Sequence, residues 1–305
     1  MGKIGKTAFV FSGQGDQYPG MGKELYEKSD AAREVFDRCE ALRSGTIRQC
    51  FEGTEAELRE TKNTQPCLFA MELAAAAVLK ERGIAPDMLA GFSLGEVAAA
   101  AAAGVMSLET GFLLVCRRGE YMQEASERQD TAMAAVVRLD AKTVENLCAK
   151  HPRIYPVNYN CPGQISVSGL TEAMPAFLKD VKEAGGRGIP LKVKGAFHSP
   201  FMEEAAKKFQ AALSEVKLKE PGILLYSDMT ARPYQGDPAL LLAKQICHPV
   251  KWESVIRDMI ENGADTFVEI GPGTTLCNMI KKIDPSAKTH AVSQMEVLWK
   301  EVEPC

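Results

Sequence analysis

The 305-residue chain sets 36 lysines and arginines against 40 aspartates and glutamates, for a formal net charge of −4. With 46% hydrophobic and 25% charged residues it has the balance of a globular protein, and it lacks the chain-wide basic field that holds nucleic acid. A chain of this length sustains one large core plus an inserted smaller unit.

The opening MGKIGKTAFVFSG holds no apolar stretch of signal-peptide length, and apolar runs such as VAAAAAAGV are too short to span a bilayer. Nine cysteines are scattered without a C-x-x-C, and the four histidines lie far apart. This pattern predicts reduced thiols in a cytoplasmic protein and no metal site.

In chain order, KTAFVFSG reads as a strand running into the glycine turn GQGDQYPGMG, followed by helical patterns over 22–42 and 66–82. IAPDMLAGFSLGEVAAAAAAG reads as an apolar strand, a tight turn and an alanine-rich helix. A helix over 108–126 starts at a Ser107 N-cap and carries Arg117 and Arg118. Residues 131–193 then read strand TAMAAVVRL, helix AKTVENLCAK, strands IYPVNYN and QISVSGL, helix TEAMPAFLKDVKEAGG and strand RGIPLKV. That β-α-β-β-α-β order is the ferredoxin-like split unit. After it come GAFHSPFM, helix EEAAKKFQAALSEV, strand ILLYSDM, helix HPVKWESVIRDMIENG, strand DTFVEI, turn GPGTTL and CNMIKKI. The expected fold is therefore α/β: a parallel-sheet core over 1–128 and 195–305, interrupted by a ferredoxin-like subdomain over 129–194.

AFVFSGQG, MLAGFSLG and FVEIGPGT share one layout, an apolar strand, a glycine turn and a helix start. In open α/β sheets, ligands bind beyond the carboxyl ends of strands, where such turns lie. Gly91-Phe92-Ser93-Leu94-Gly95 matches the nucleophile elbow G-x-S-x-G, which lifts a serine hydroxyl above a helix N-terminus. The same residues suit an ordinary turn capping the alanine-rich helix. A nucleophilic serine needs a base, and His198 in GAFHSP stands where the insert returns to the core. His151, beside Lys150 and Pro152, suits a surface loop; His248 precedes Pro249, and His290 lies in KTHAV near the C-terminus.

FSGQG, GFSLGE at 91–96, Arg118 in RRGEYMQEA, NYNCPGQISVSG, GAFHSP and EIGPG occur in one order and spacing. Together, over essentially the whole chain, they resemble the malonyl-CoA:acyl-carrier-protein transacylases, acyltransferases of fatty-acid and polyketide synthesis. The resemblance implies an α/β-hydrolase-like core with a ferredoxin-like subdomain. It implies a Ser93–His198 dyad, the imidazole being oriented by a main-chain carbonyl of the HPVKW loop, that of Lys251. It further implies an oxyanion hole from the N–H groups of Gln14 and Leu94, and Arg118 gripping a substrate carboxylate by paired charge-assisted bonds. Asn160 and Gln164, in a stretch that is also good hairpin-turn chemistry, belong to the shell of the site, as do Phe92 and Phe197. The Phe197 ring resembles the one that crowds out an α-methyl branch in malonyl-selective members. Phe92 departs from the histidine usual before the nucleophile, and Ser12 and Asp16 depart around GQG. For Glu96 the sequence offers only a favourable place in the helix dipole.

The implied reaction is a ping-pong transfer from malonyl-CoA, through a malonyl-Ser93 ester, to the phosphopantetheine thiol of holo acyl carrier protein. It needs no bound cofactor, and the family favours a monomer that binds neither membrane nor nucleic acid. Carrier proteins are acidic, which points to Lys281 and Lys282, or Lys192 and Lys194, as docking contacts. An alternative is a discrete acyltransferase serving a polyketide synthase; another is an acyl-thioester hydrolase on the same scaffold, disfavoured for neutral acyl chains by Arg118. A carrier-docking scaffold without activity is disfavoured by the joint presence of Ser93 and His198. A patatin-like lipase shares G-x-S-x-G but brings a D-G-[GA] partner that is missing here.

Overall fold

The computed structural model describes residues 5–193 and 195–294. Strand β1 (Lys6–Phe11) sets the layering: Phe9 and Phe11 enter one apolar cluster, Ala8 and Val10 the cluster on the opposite face. Helices α1 (Lys23–Lys28), α2 (Asp30–Leu42), α3 (Thr46–Glu52), α4 (Glu55–Arg59) and α5 (Thr61–Glu81) follow. The helical stretch read over 22–42 is broken because Ser29 is extended and its hydroxyl accepts the Ala32 N–H, capping α2. α5 starts at Thr61, ahead of the predicted Pro66, since a proline near a helix start removes only one intrahelical bond.

Next come β2 (Met88–Gly91), α6 (Leu94–Ala102) and α7 (Leu108–Glu127), the last capped as predicted by the Ser107 hydroxyl accepting the Thr110 N–H. The middle of the chain supplies β3 (Thr131–Val137), α8 (Ala141–Lys150), β4 (Ile154–Cys161), β5 (Gln164–Leu170), α9 (Met174–Glu183) and β6 (Arg187–Pro190). These four strands form an antiparallel sheet in the order β4-β5-β3-β6. Ala134 and Val136 of β3 pack against Val144, Leu147, Phe177 and Val181 of α8 and α9, while Met133 and Ala135, one residue out of phase, line a cavity on the other face. Helix α10 (Glu203–Ser214), strands β7 (Leu224–Ser227) and β8 (Arg232–Pro233), helices α11 (Pro238–Gln245) and α12 (Trp252–Glu261), β9 (Ala264–Ile270), α13 (Thr275–Ile283) and β10 (Lys288–Ala291) complete the described chain.

The second sheet has six strands in the order β10-β9-β1-β2-β7-β8, parallel except for β8. The large cluster including α2, α5, α7 and α10 covers one face, and α12 and α13 cover the other. Phe11, at the end of β1, pairs with Gly91 on one side and Ile270 on the other. The three glycine turns therefore leave the sheet side by side. At the third turn, the buried Glu269 carboxylate accepts the N–H groups of Leu276 and Cys277 at 3.0 and 2.7 Å and caps α13. Among the described residues no helix is long and apolar enough to cross a membrane.

Candidate active site

Phe92 and Ser93 lie between the end of β2 and the start of α6, and Ser93 has φ 56° and ψ −104°. A non-glycine residue held there costs on the order of 1–3 kcal/mol, so its surroundings must enforce it. The flanking glycines are required by contact: a Cβ on Gly91 would lie 2.0 Å from the Glu96 nitrogen, and one on Gly95 would lie 2.3 Å from the Phe11 carbonyl oxygen. The G-x-S-x-G spacing thus follows from α6 packing directly onto the strand ends. Three polar groups pin the turn. The Ser93 N–H donates to Asp228 Oδ2 at 2.7 Å, and the Ser93 carbonyl accepts from Gln245 Nε2 at 2.6 Å. The Gly95 N–H closes back onto Phe92 O at 3.0 Å.

Ser93 Oγ meets His198 Nε2 at 2.7 Å. His198 also has a positive φ, 59°. Its Nδ1 lies 2.9 Å from the Gln245 carbonyl. A carbonyl only accepts, so Nδ1 carries the ring proton and the Nε2 lone pair faces the hydroxyl. The orienting carbonyl is therefore that of Gln245, not that of Lys251 as the resemblance implied. The reason lies in where a helix ends. α11 stops at Gln245 and its last carbonyls lack intrahelical donors; His198 takes two in succession, giving its own N–H to Ile246 O at 3.1 Å. Lys251 instead opens α12, accepting the Val255 N–H and donating its N–H to Asp228 O. Burial, and then the Arg118 charge, push the His198 imidazole down to about 4, against the raising effect of the main-chain groups of Gln245 and His248. The imidazole is neutral at pH 7.

Arg118 is fully buried and not a solvated helix residue; its neighbour Arg117 has that role, pairing with Glu215 at 2.7 Å. The Arg118 guanidinium donates to Gln65 Oε1 at 2.9 Å, to Gln245 Oε1 at 2.8 Å and to Ser93 Oγ at 3.3 Å. Its Nε has no partner among the described residues. Burial lowers its pKa to about 10, opposed by the negative charge of the buried Asp228–Glu96 carboxyl pair, so the positive charge survives at neutral pH.

A cavity of about 260 Å³ opens over this group. Gln14, Phe92, Ser93, Asn160, Gln164, Phe197 and His198 all line it, with Asn158 and Ser166 added by the polar face of the antiparallel sheet. Gln14 is tied to the arginine through Gln65, whose Nε2 donates to Gln14 Oε1 at 3.2 Å. Leu94 is the first residue of α6, and its N–H has no acceptor within the helix. Phe92 is an apolar wall: its ring meets Trp252 edge-on at 5.5 Å, and a Cβ on Gly13 would come within 2.9 Å of it. Asn160 Nδ2 donates to Ser166 Oγ at 3.3 Å, whereas Gln164 Oε1 accepts from Lys282 Nζ at 3.3 Å, which puts that lysine beside the cavity wall. Lys281 points instead to Pro285 O. Lys192 is exposed between the lining residues Leu191 and Val193, and Lys194 lies outside the described residues.

Three polar residues of the site, Gln65, Gln245 and Asp228, are not legible in the sequence, and Glu96 is legible there only as a carboxylate favoured by the helix dipole. Gln65 and Gln245 sit in helices with nothing in their context to mark them, and Asp228 follows a strand as any turn residue does. Glu96 did carry a signal, a carboxylate within an otherwise apolar helix, and it is fully buried and bonded to Tyr234, Gln245 and the Asp228 N–H.

The model of the acyl transferase domain family matches residues 8–299. The malonyl CoA-acyl carrier protein transacylase of Bacillus subtilis is 39% identical over 303 residues, covering 97% of this chain and 96% of that one. The crystal structure of the transacylase of that name from Clostridium perfringens superposes with a TM-score of 0.94 at 34% identity, covering 97% of this chain and 96% of that one. A malonyl-transacylase solved in complex with a type II polyketide synthase acyl carrier protein gives a TM-score of 0.93 at 31% identity, over 97% and 99%. Matched over nearly its whole length, with an elbow serine facing a buried histidine and arginine, the chain belongs to the acyl transferase domain family.

Proposed function

We propose that the protein transfers a malonyl group from malonyl-CoA to the phosphopantetheine thiol of acyl carrier protein, supplying fatty-acid synthesis. The observation that carries this reading is the charged, fully buried Arg118 guanidinium 3.3 Å from the Ser93 hydroxyl. Only a carbonyl and a methylene separate the ester oxygen of a malonyl-serine from its terminal carboxylate. A buried guanidinium at this distance matches that carboxylate and offers a neutral acyl chain nothing.

His198 Nε2 takes the Ser93 proton as Oγ attacks the thioester carbonyl. The tetrahedral oxyanion forms against the N–H groups of Gln14 and Leu94, with the α6 dipole behind the latter. The C–S bond breaks, the thiolate of CoA takes the proton from His198, and a malonyl-Ser93 ester remains. The carrier's thiol then gives its proton to His198 and attacks the ester carbonyl, and the proton returns to Ser93 as the C–O bond breaks. Water is the competing acceptor, which the apolar flanks of the cavity (Phe92, Met122, Met133, Phe197 and Met279) resist. In the same reading the six-stranded sheet with its helices is an α/β-hydrolase-like core over 1–128 and 195–305, and 129–194 is a ferredoxin-like subdomain roofing the cavity. Lys282 and Lys192, beside the opening, are the carrier-docking contacts. The protein works as a monomer in the cytoplasm without a bound cofactor.

The reading is tested by loading the protein with labelled malonyl-CoA and then adding holo acyl carrier protein. Label should stay on the protein until the carrier arrives and then move to it; rapid release to water would identify a hydrolase instead. The His198 environment adds a pH signature. A base must be neutral to act, and this one stays neutral down to about 4. Ser93 acylation should therefore be flat through the ordinary histidine range near 6.5 and fall only as pH approaches about 4. A kcat/KM profile that already halves near pH 6.5 would contradict the assignment.

A further inference from the structure

Behind the elbow lie two carboxyl groups that the reaction as described does not use. Glu96 from α6 and Asp228 from the turn after β7 are 0% and 1% exposed. They share one donor, Gln245 Nε2, which lies 3.2 Å from Glu96 Oε2 and 3.4 Å from Asp228 Oδ2, and the Asp228 main-chain N–H donates to Glu96 Oε2 at 3.1 Å. The groups facing the pair are Tyr234, which donates to Glu96 Oε1 at 2.5 Å, the amide of Gln245 from α11, the Ser93 N–H, and at longer range the Arg118 charge from α7. Two carboxylates this close, in the dry interior, do not both ionise.

The donors show which one keeps the charge. Burial raises the Glu96 carboxyl as well, but Glu96 receives a phenol, a main-chain N–H and an amide, which oppose that rise by favouring its ionised form. Asp228 receives the Ser93 N–H on Oδ2, while its Oδ1 meets no donor among the described residues. An oxygen without a donor, on a carboxyl that touches another carboxyl, is where a proton belongs. Burial first, and then the Glu96 charge, push the Asp228 carboxyl well above the usual carboxylate range.

We propose that Asp228 is a positioning residue which, as a neutral acid hydrogen-bonded to ionised Glu96, holds the strained Ser93 turn through the Ser93 N–H, and that the single charge left on Glu96 is the internal counter-ion of Arg118. A buried guanidinium needs a compensating charge, and no carboxylate lies within ion-pair distance of Arg118 among the described residues. The charge is instead relayed through Gln245, whose Oε1 faces Arg118 and whose Nε2 faces Glu96. Arg118 is thereby kept charged yet free of a direct carboxylate partner, so the substrate carboxylate has no internal rival to displace.

The proposal rests on Ser93 being the nucleophile, and its test separates the two. An asparagine at 228 reproduces the neutral acid, with an oxygen for the Ser93 N–H and an N–H for Glu96. Asp228→Asn should therefore keep the rate of Ser93 acylation by malonyl-CoA within about fivefold, whereas Asp228→Ala, which releases the turn, should lower it at least about a hundredfold with KM little changed. Independently of activity, the infrared difference spectrum of wild type minus Asp228→Asn at pH 7 should contain the carbonyl band of a protonated carboxylic acid. Loss in Asp228→Asn as deep as in Asp228→Ala, or absence of that band, would overturn the proposal and mark Asp228 as a required negative charge. Should Asp228→Ala fail to fold, the asparagine variant and the band still decide. Should the wild type not be acylated at all, the malonyl-transfer reading fails while the band still reports on the proton.

Discussion

Ser93→Ala is expected to accept no acyl group at all, and His198→Ala to acylate Ser93 more slowly by roughly 10⁴-fold or more. The geometry makes both losses large. In the proposed mechanism the hydroxyl gives its proton to His198 Nε2, at 2.7 Å, and the tautomer of that ring is fixed by a main-chain carbonyl at 2.9 Å. Among the described residues no carboxylate stands behind the imidazole to share the task. Because serine and histidine act as one unit, adding His198→Ala to Ser93→Ala should lower any residual carrier malonylation no further. Additive losses would show that they work separately. A main-chain carbonyl also predicts that replacing the Gln245 side chain leaves the His198 tautomer intact, while disturbing the Ser93 turn and Arg118, which that side chain bonds.

Arg118→Ala is expected to separate acyl groups. Charge-assisted bonds to a carboxylate contribute about 1.5–3 kcal/mol each. Loss of a paired contact should thus lower malonyl transfer relative to acetyl transfer by on the order of a hundredfold or more. Arg118→Lys should not restore it, since an ammonium lacks the planar fork. A second readout comes from His198, whose pKa the Arg118 charge depresses after burial does. Removing that charge leaves the base easier to protonate, so the acid limb of acylation should move up in pH in Arg118→Ala. Equal loss for malonyl and acetyl groups would contradict the carboxylate-binding role. An unmoved acid limb would contradict the electrostatic coupling.

The parts of the site legible in the sequence were those with a steric or topological necessity. Gly91 and Gly95 are demanded by backbone contacts near 2 Å, so the elbow announces itself as a pattern. The convergence of GQG, GFSLG and IGPG follows from parallel strands in one sheet, as the pairing of Phe11 with Gly91 and Ile270 bears out. The alternation that sends Ala134 to a core and Met133 to the cavity is likewise local. What could not be read was set by long-range register. Which carbonyl reaches His198 depends on where α11 ends, and HPVKW, though in the right region, lies past that end. Gln65 and Gln245 act through side-chain amides brought together from separate helices, and an isolated glutamine has no periodicity to betray it. The short α3 and β8 escape notice because packing, not pattern, forms them, whereas α4 does carry a local signal, the Thr54–Glu57 capping box. The Phe92 ring packs between Trp252 and the bare α-carbon of Gly13, beside the loop that carries Gln14.

The central claim is that Ser93 carries the acyl group between donor and carrier. The most direct measurement is the mass of the intact protein after brief exposure to malonyl-CoA alone, followed by peptide-level location of the added group. A single malonyl addition on the peptide containing Ser93, lost on adding holo acyl carrier protein and never formed in Ser93→Ala, is the predicted result. An addition on any other residue, or carrier malonylation by Ser93→Ala at the wild-type rate, would contradict the account.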